Sequence, residues 1–249
     1  MRWASVLVAV GLSAIQFAAC QRKSFDPASA NTFFPLRPGL SWTYRIKDRR
    51  RGPVHFLTDR VVRRTMVGTG ERAEVESKYS GPNGSVSSTI VYFTEHGYFT
   101  RQSRTDHGPG VALAEQSFLP LLLEPNLTWS NSLVPFDRLE DAFDINQTHH
   151  TFFEPATINV PAGHFSGCIR IETKAVYQNR SGVSSPAELE YIDWYAPHIG
   201  LVKTVVEQRG IFGTELARIE LLTFSYSQLP SPASVSAVPW QIHPQGRSP

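Results

Sequence analysis

The chain has 249 residues, 41% of them apolar, with 24 Lys and Arg set against 22 Asp and Glu. A formal charge of +2 gives no general attraction to nucleic acid, and two cysteines, Cys20 and Cys168, cannot make a disulfide framework. The length is enough for one sizeable hydrophobic core.

Met1-Arg2-Trp3 is a short charged start, and Ala4 to Phe17 then runs without a charged residue. Those 14 positions would span roughly 21 Å as a helix, short of the ~30 Å hydrocarbon core. The segment therefore reads as the apolar part of a signal peptide rather than a membrane-spanning helix. Gln16-Phe17-Ala18-Ala19-Cys20 resembles the lipobox of bacterial lipoprotein signal peptides, with Phe17 where leucine is usual. The resemblance implies removal of residues 1–19 and acylation of Cys20, palmitate-type chains included. The protein would then be held in a membrane at about 0.8 kcal/mol per buried methylene. Gln21, in place of an inner-membrane-retaining Asp, implies the outer membrane, with the domain facing the periplasm. The alternative is ordinary cleavage, giving a soluble periplasmic or secreted product. Loss of residues 1–19 removes only Arg2 and lowers the formal charge from +2 to +1.

Residues 20–32 are small and polar and read as a flexible tether. Residues 33–227 read as a single β-rich domain, and the Pro/Ser-rich residues 228–249, with Trp240 as their one large hook, as a disordered tail. Within the domain, Gly81-Pro82-Asn83-Gly84 signals a hairpin turn before the β-branched and aromatic run Val86 to Thr94. Helical turns are expected within Gly110 to Leu123 and Asp137 to Asp144. Further strands are expected at Ile169 to Tyr177, Leu189 to Tyr195, Leu201 to Gln208 and Leu216 to Tyr226, with Gly210 and Gly213 bracketing the last turn. In the final strand Ala217, Ile219 and Leu221 alternate with Arg218 and Glu220, one face inward and one wet, and its apolar distal half is expected to be covered. The fold class is all-β, mainly antiparallel: a curved sheet or half-barrel with a few short helical turns.

The sequence repeats one phrase. Leu36-Arg37-Pro38-Gly39-Leu40-Ser41-Trp42 returns 87 residues on as Leu123-Glu124-Pro125-Asn126-Leu127-Thr128-Trp129. Proline followed by Gly or Asn specifies a tight turn, here feeding a strand that opens with tryptophan. The alternatives are a duplicated strand-entry device and chance recurrence of a common turn.

Three segments together, Phe34-Pro35-Leu36…Gly39…Trp42-Thr43-Tyr44, Val160-Pro161-Ala162-Gly163-His164-Phe165-Ser166-Gly167-Cys168-Ile169-Arg170-Ile171 and Trp194-Tyr195-Ala196-Pro197-His198-Ile199-Gly200-Leu201-Val202-Lys203, resemble a broad group of bacterial exported lipoproteins with the pattern PLxxGxxWxY…VPAGxFxxCxxI…WYAxGxGLVK. The resemblance covers roughly residues 33–226. It implies a curved antiparallel sheet similar to the LolA-like half-barrels, whose concave face can hold a lipid or another apolar ligand. No activity comes with it. Read physically, Pro161 and Gly163 turn into a strand with Phe165, Gly167, Ile169 and Ile171 on one face and Cys168 and Arg170 on the other. Pro197 and Gly200 form the bend of a hairpin. Cys168 is expected to be a small buried apolar side chain.

No HExxH, HxH, CxxC, P-loop or GxSxG motif is present, so no catalytic residue, metal ligand or cofactor is assigned. Adjacent strand residues point to opposite faces, so His149 and His150 are not expected to share a metal and read as surface or rim histidines; His164 reads as incidental. Asp137, Glu140, Asp141 and Asp144, near Asn146, lack the spacing of a calcium loop and read as a solvated acidic turn. Arg37 to Arg72 holds ten cations and three anions, and Leu113 to Glu154 seven anions and one cation. The two segments are expected to be neighbouring strand sets that neutralise each other, with a basic patch for anionic lipid as the alternative.

The expectation for function is a non-enzymatic envelope lipoprotein, anchored through Cys20, that binds an apolar or lipid-like ligand or an envelope protein partner on its curved sheet. One alternative is a structural or protein-interaction scaffold using sheet edges or the tail from Pro230 to Pro249. The other is a hydrolase assembled from dispersed residues such as Asp193, His150 and the acidic cluster.

Overall fold

The computed structural model describes residues 28–49, 52, 54–82, 84–105, 116–133, 143–179, 187–208 and 214–227. The signal segment, Cys20, the tail with Trp240, and the acidic residues Asp137, Glu140 and Asp141 lie outside them, as do Gly210 and Gly213.

In chain order the elements are β1 (Ala28–Ser29), α1 (Ala30–Phe33), β2 (Leu40–Asp48), β3 (His55–Val67), β4 (Gly70–Gly81), β5 (Gly84–Glu95), β6 (Tyr98–Thr105), β7 (Gln116–Pro120), β8 (Leu122–Leu123), β9 (Thr128–Leu133), β10 (Phe143–Phe153), β11 (Ile158–Val160), β12 (Gly163–Phe165), β13 (Ile169–Asn179), β14 (Ala187–Ala196), β15 (Gly200–Gln208) and β16 (Thr214–Tyr226). Twelve strands form one antiparallel sheet in the order β7-β6-β5-β4-β3-β2-β16-β15-β14-β13-β10-β9. Its two edges meet: the Asn131 side chain on β9 donates to the Ser117 carbonyl on β7 at 2.6 Å. The curved sheet expected from the sequence is therefore present and curls into a nearly closed barrel, which leaves little free edge for strand addition.

Alternation builds the wall. On β13, Ile169, Ile171, Thr173 and Ala175 are buried inward. Arg170 and Lys174 between them reach outward to Glu172 at 3.1 Å and Glu188 at 3.1 Å. Arg45 meets Glu220 at 2.8 Å in the same way. Each such surface pair adds at most about 1 kcal/mol. Their collective effect is a charged exterior suited to water.

The duplicated phrase is a duplication in space. Gly39 and Asn126 are both left-handed, with φ of 88° and 62°. Leu40 N–H donates to the Arg37 carbonyl at 3.0 Å and Leu127 N–H to that of Glu124 at 3.2 Å, while Gly39 and Asn126 each donate at 2.8 Å to the neighbouring strand, at Val61 and Thr151. Trp42 then stands opposite Asp59, and Trp129 opposite His149. The hairpins β5–β6 and β14–β15 match as well, with left-handed His96 and Gly97 in one and His198 and Gly200 in the other. Six strands, β2 to β7, thus correspond to β9, β10, β13, β14, β15 and β16, and the two units join head to tail around the barrel.

Residues 28–36 strap one end of the barrel. Ala28 and Ser29 pair with Leu123 and Leu122, and Thr32 accepts from His198 N–H across the opening at 2.5 Å. Phe34 then packs on Tyr92, Phe118 and Phe99 at 5.0, 5.1 and 5.7 Å between ring centroids. Residues 28–32, read from the sequence as the end of a tether, belong to this strap, and Ala30 is fully buried.

Several local expectations are corrected. Residues 116–120 and 122–123 are strand rather than helix, and Asp144 lies in β10 opposite Gln178. The segment 165–171 is not one strand. Left-handed Gly167 (φ 67°) breaks it, so Cys168 and Ile169 are both buried although adjacent. The distal half of β16 is open: Phe224 is 41% exposed and Tyr226 59%, although Phe165 touches Phe224 edge-on. The basic and acidic segments are not neighbouring strand sets among the described residues: β2–β3 and β9–β10 are separated around the barrel. Arg45 pairs with Glu220, Arg64 with Glu71, and Glu154 with Arg170.

Candidate functional site

Inside the barrel the inward positions are not uniformly apolar. Asp59 sits between Leu57 and Val61 on β3, Asp193 between Tyr191 and Tyr195 on β14, and Arg101 two residues after buried Phe99 on β6. Strand periodicity turns all three into the lumen. There they line two adjoining cavities of about 260 and 290 Å³, and Arg101, Phe118, Asp193 and Tyr195 belong to both. The first cavity is walled by Phe34, Trp42, Tyr44 and Tyr92 around Asp59, and the second by Trp129, Gln147, His149, Thr173 and Tyr191. Two larger hollows, of about 510 and 540 Å³, are grooves outside the wall beside the β3–β4 turn and beside Leu121 to Leu127. We place the site in the lumen because the buried ionisable groups converge there.

Burial governs the electrostatics. It raises the Asp193 carboxyl to about 6, against hydrogen bonding from Thr204 and the charge of Arg101. Thr204 Oγ1 donates to Asp193 Oδ1 at 2.6 Å. Asp59 is raised by the same cause and opposed by a hydrogen bond from Ser77 and by Arg101. Desolvation also lifts the phenols of Tyr44 and Tyr195 far above their ordinary value, and that of Tyr92 to about 12. His149 goes the other way: burial lowers it to about 4, so at neutral pH it is an uncharged imidazole. Its Nδ1 lies 2.8 Å from Thr173 Oγ1, and its ring stacks on Trp129 at 4.8 Å.

Three buried polar atoms on residues that line these cavities have no hydrogen-bond partner among the described residues: Asp59 Oδ1, His149 Nε2 and Trp129 Nε1. Leaving such an atom dry costs about 1–3 kcal/mol. Trp42, the counterpart of Trp129, is satisfied, donating to the Ile199 carbonyl at 2.5 Å.

Of the residues singled out from the sequence, His149 and His150 point to opposite faces as expected, but His149 is buried rather than at the surface. His150 is outside, stacked on Phe152 at 5.1 Å. Asp193 and His150 are thus on opposite sides of the wall, and of the acidic group only Asp144 lies among the described residues. His164 is exposed on β12, 2.5 Å from Asn159 Oδ1. Cys168 is buried, its thiol pushed up to about 11 by burial and then by Glu154. No group of three or more His, Cys, Asp or Glu side chains spaced for a metal occurs among the described residues, and no described helix is long and apolar enough to cross a membrane. Asp59, Arg101 and the lumen tyrosines escaped the sequence reading; for Asp59 the signal is a charge at i between apolar residues at i±2, Leu57 and Val61, whereas Arg101 has Phe99 on one side and Ser103 on the other.

The chain matches no protein-family model and no curated protein. Two solved structures resemble it in outline. One is a candidate lipoprotein of Parabacteroides distasonis, with a TM-score of 0.49 and 15% identity over 78% of this chain and 98% of that one. The other is a candidate exported protein of Bacteroides fragilis with a YmcC-like fold, with a TM-score of 0.47 and 17% identity over 80% of this chain and 100% of that one.

Proposed function

We propose that this chain is a non-enzymatic lipoprotein of the bacterial envelope, acylated on Cys20 and held at the periplasmic face of the outer membrane, and that it carries a small amphipathic ligand inside the barrel. The observation that supports the ligand is the set of unpartnered buried atoms, Asp59 Oδ1, His149 Nε2 and Trp129 Nε1, on cavities of about 260 and 290 Å³. The site is the barrel interior, not an open concave face. Its aromatic walls suit apolar parts of the ligand, while Asp59, Arg101 and Asp193 require polar groups near its middle.

Native mass spectrometry of protein extracted gently from membranes tests the reading. A bound small molecule that leaves on unfolding is expected; protein of bare polypeptide-plus-acyl mass in every preparation would overturn the carrier role. The anchor is tested separately by fatty-acid labelling. Label should enter the wild type and not Cys20→Ala, and an unlabelled wild type would make the protein a soluble exported one.

A further inference from the structure

The two halves of the lumen offer different chemistry, and the half around Asp59 is the more specific. We propose that it binds an alkylammonium group, with Asp59 as counter-ion inside a box of aromatic rings; this rests on the lumen being the ligand site. Phe34, Trp42, Tyr44, Tyr92, Phe118 and Tyr195 line the same cavity as Asp59. Trp42 stands directly across the strand pair from it, and Tyr44 and Tyr92 both feel its charge. Aromatic faces attract a cation through their quadrupole, most strongly where water is excluded.

The charges point the same way. Two carboxylates, Asp59 and Asp193, line the cavity, and Arg101 is its single cation. Thr204 holds Asp193, whereas one oxygen of Asp59 has no hydrogen-bond partner among the described residues. A buried carboxylate is stabilised by a positive charge brought against it. An alkylammonium ion supplies the charge to Asp59 and its alkyl substituents to the rings. The equivalent position in the other half is His149, a neutral imidazole, so the ligand's cationic end is assigned to the Asp59 side and an uncharged hydrogen-bonding end to the His149 side.

The test uses full-length protein in detergent and isothermal titration with choline and with 3,3-dimethylbutan-1-ol, which has the same shape with carbon in place of the charged nitrogen. Choline should bind at least about tenfold more tightly, as a desolvated cation–π and ion-pair contact gives. Asp59→Asn should bring the two ligands to within about twofold, while His150→Gln, outside the wall, should leave the choline preference intact. Glycerophosphocholine separates the sources: tighter binding than choline marks a lipid headgroup, and weaker binding a free amine. Equal binding of choline and its neutral isostere overturns the ammonium assignment and leaves the lumen as a ligand site. Binding of neither also overturns it, and the lumen reading falls as well only if the native mass spectrum is empty.

Discussion

The β2–β7 unit and the unit from β9 to β16 use one backbone plan for two different interiors. Each enters through the same left-handed turn, opens on a buried tryptophan and returns through a hairpin with left-handed residues at its tip. At the matching lumen positions one unit has Asp59 held by Ser77 and the other His149 held by Thr173. One tryptophan donates its N–H to the Ile199 carbonyl, and the other leaves it without a partner among the described residues. The shared features make the barrel close. The features that differ lie in the lumen, where divergence leaves the wall intact and changes what the interior can hold.

The largest effect comes from the tryptophans. Trp42→Ala and Trp129→Ala should each cost about 3–5 kcal/mol in urea unfolding, with Trp42→Ala the worse because its ring also packs against the Gly200 turn, 3.4 Å from where a Cβ there would stand. Equal losses would remove the asymmetry drawn between the halves.

Acid should next separate His149 from the lumen carboxylates. His149, with an ordinary value of 6.5 lowered to about 4, stabilises the fold fully above pH 6.5 and loses that contribution as pH falls to 4, roughly 3 kcal/mol. Asp193, raised from 3.8 to about 6, does the reverse: the fold is penalised above pH 6 and relieved by a similar amount as pH falls toward 3.8. Asp59 acts in the same sense as Asp193. Unfolding midpoints between pH 4 and 7 should therefore diverge. Asp193→Asn should lose stability on acidification more steeply than the wild type, and His149→Gln should gain it. Parallel curves would show that these groups do not titrate as buried side chains.

The paired turns differ more modestly. A Cβ on Gly39 would stand 1.9 Å from the Ser227 carbonyl oxygen, and its φ is 88°, so Gly39→Ala should cost about 2 kcal/mol or more. Asn126→Gly should stay within about 1 kcal/mol of the wild type, since glycine accepts a φ of 62° freely. The smallest difference is between the phenylalanine variants. Trp42→Phe should cost about 1 kcal/mol more than Trp129→Phe, because only the first loses a hydrogen bond.

Much of the wall was legible in the sequence, because alternation along a strand fixes which side chains go in. Gly81 and Gly84 pair as the hairpin ends they were read to be, and Ala196 and Gly200 close the second bend. The 87-residue echo signalled the duplication, but closure did not follow from it. That depends on how far twelve twisted strands curl and on Asn131 reaching Ser117, a contact between the two edge strands of the sheet. The strand break at Gly167 was hidden because glycine is also compatible with an extended chain. The lumen charges were visible one at a time, as Asp59 within Leu57-Thr58-Asp59-Arg60-Val61, and invisible as a group. Asp59, Arg101 and Asp193 are brought together only when β3, β6 and β14 face one another across the barrel.

The most direct test of the central claim, that the lumen is a ligand site divided between unlike halves, is the electron density between Asp59 and His149 in crystals of protein extracted from membranes. Continuous density is expected for one non-protein molecule that runs from Asp59 to the His149 side. Separate water peaks bridging Asp59, Arg101, Asp193 and His149, in protein never exposed to denaturant, would contradict it.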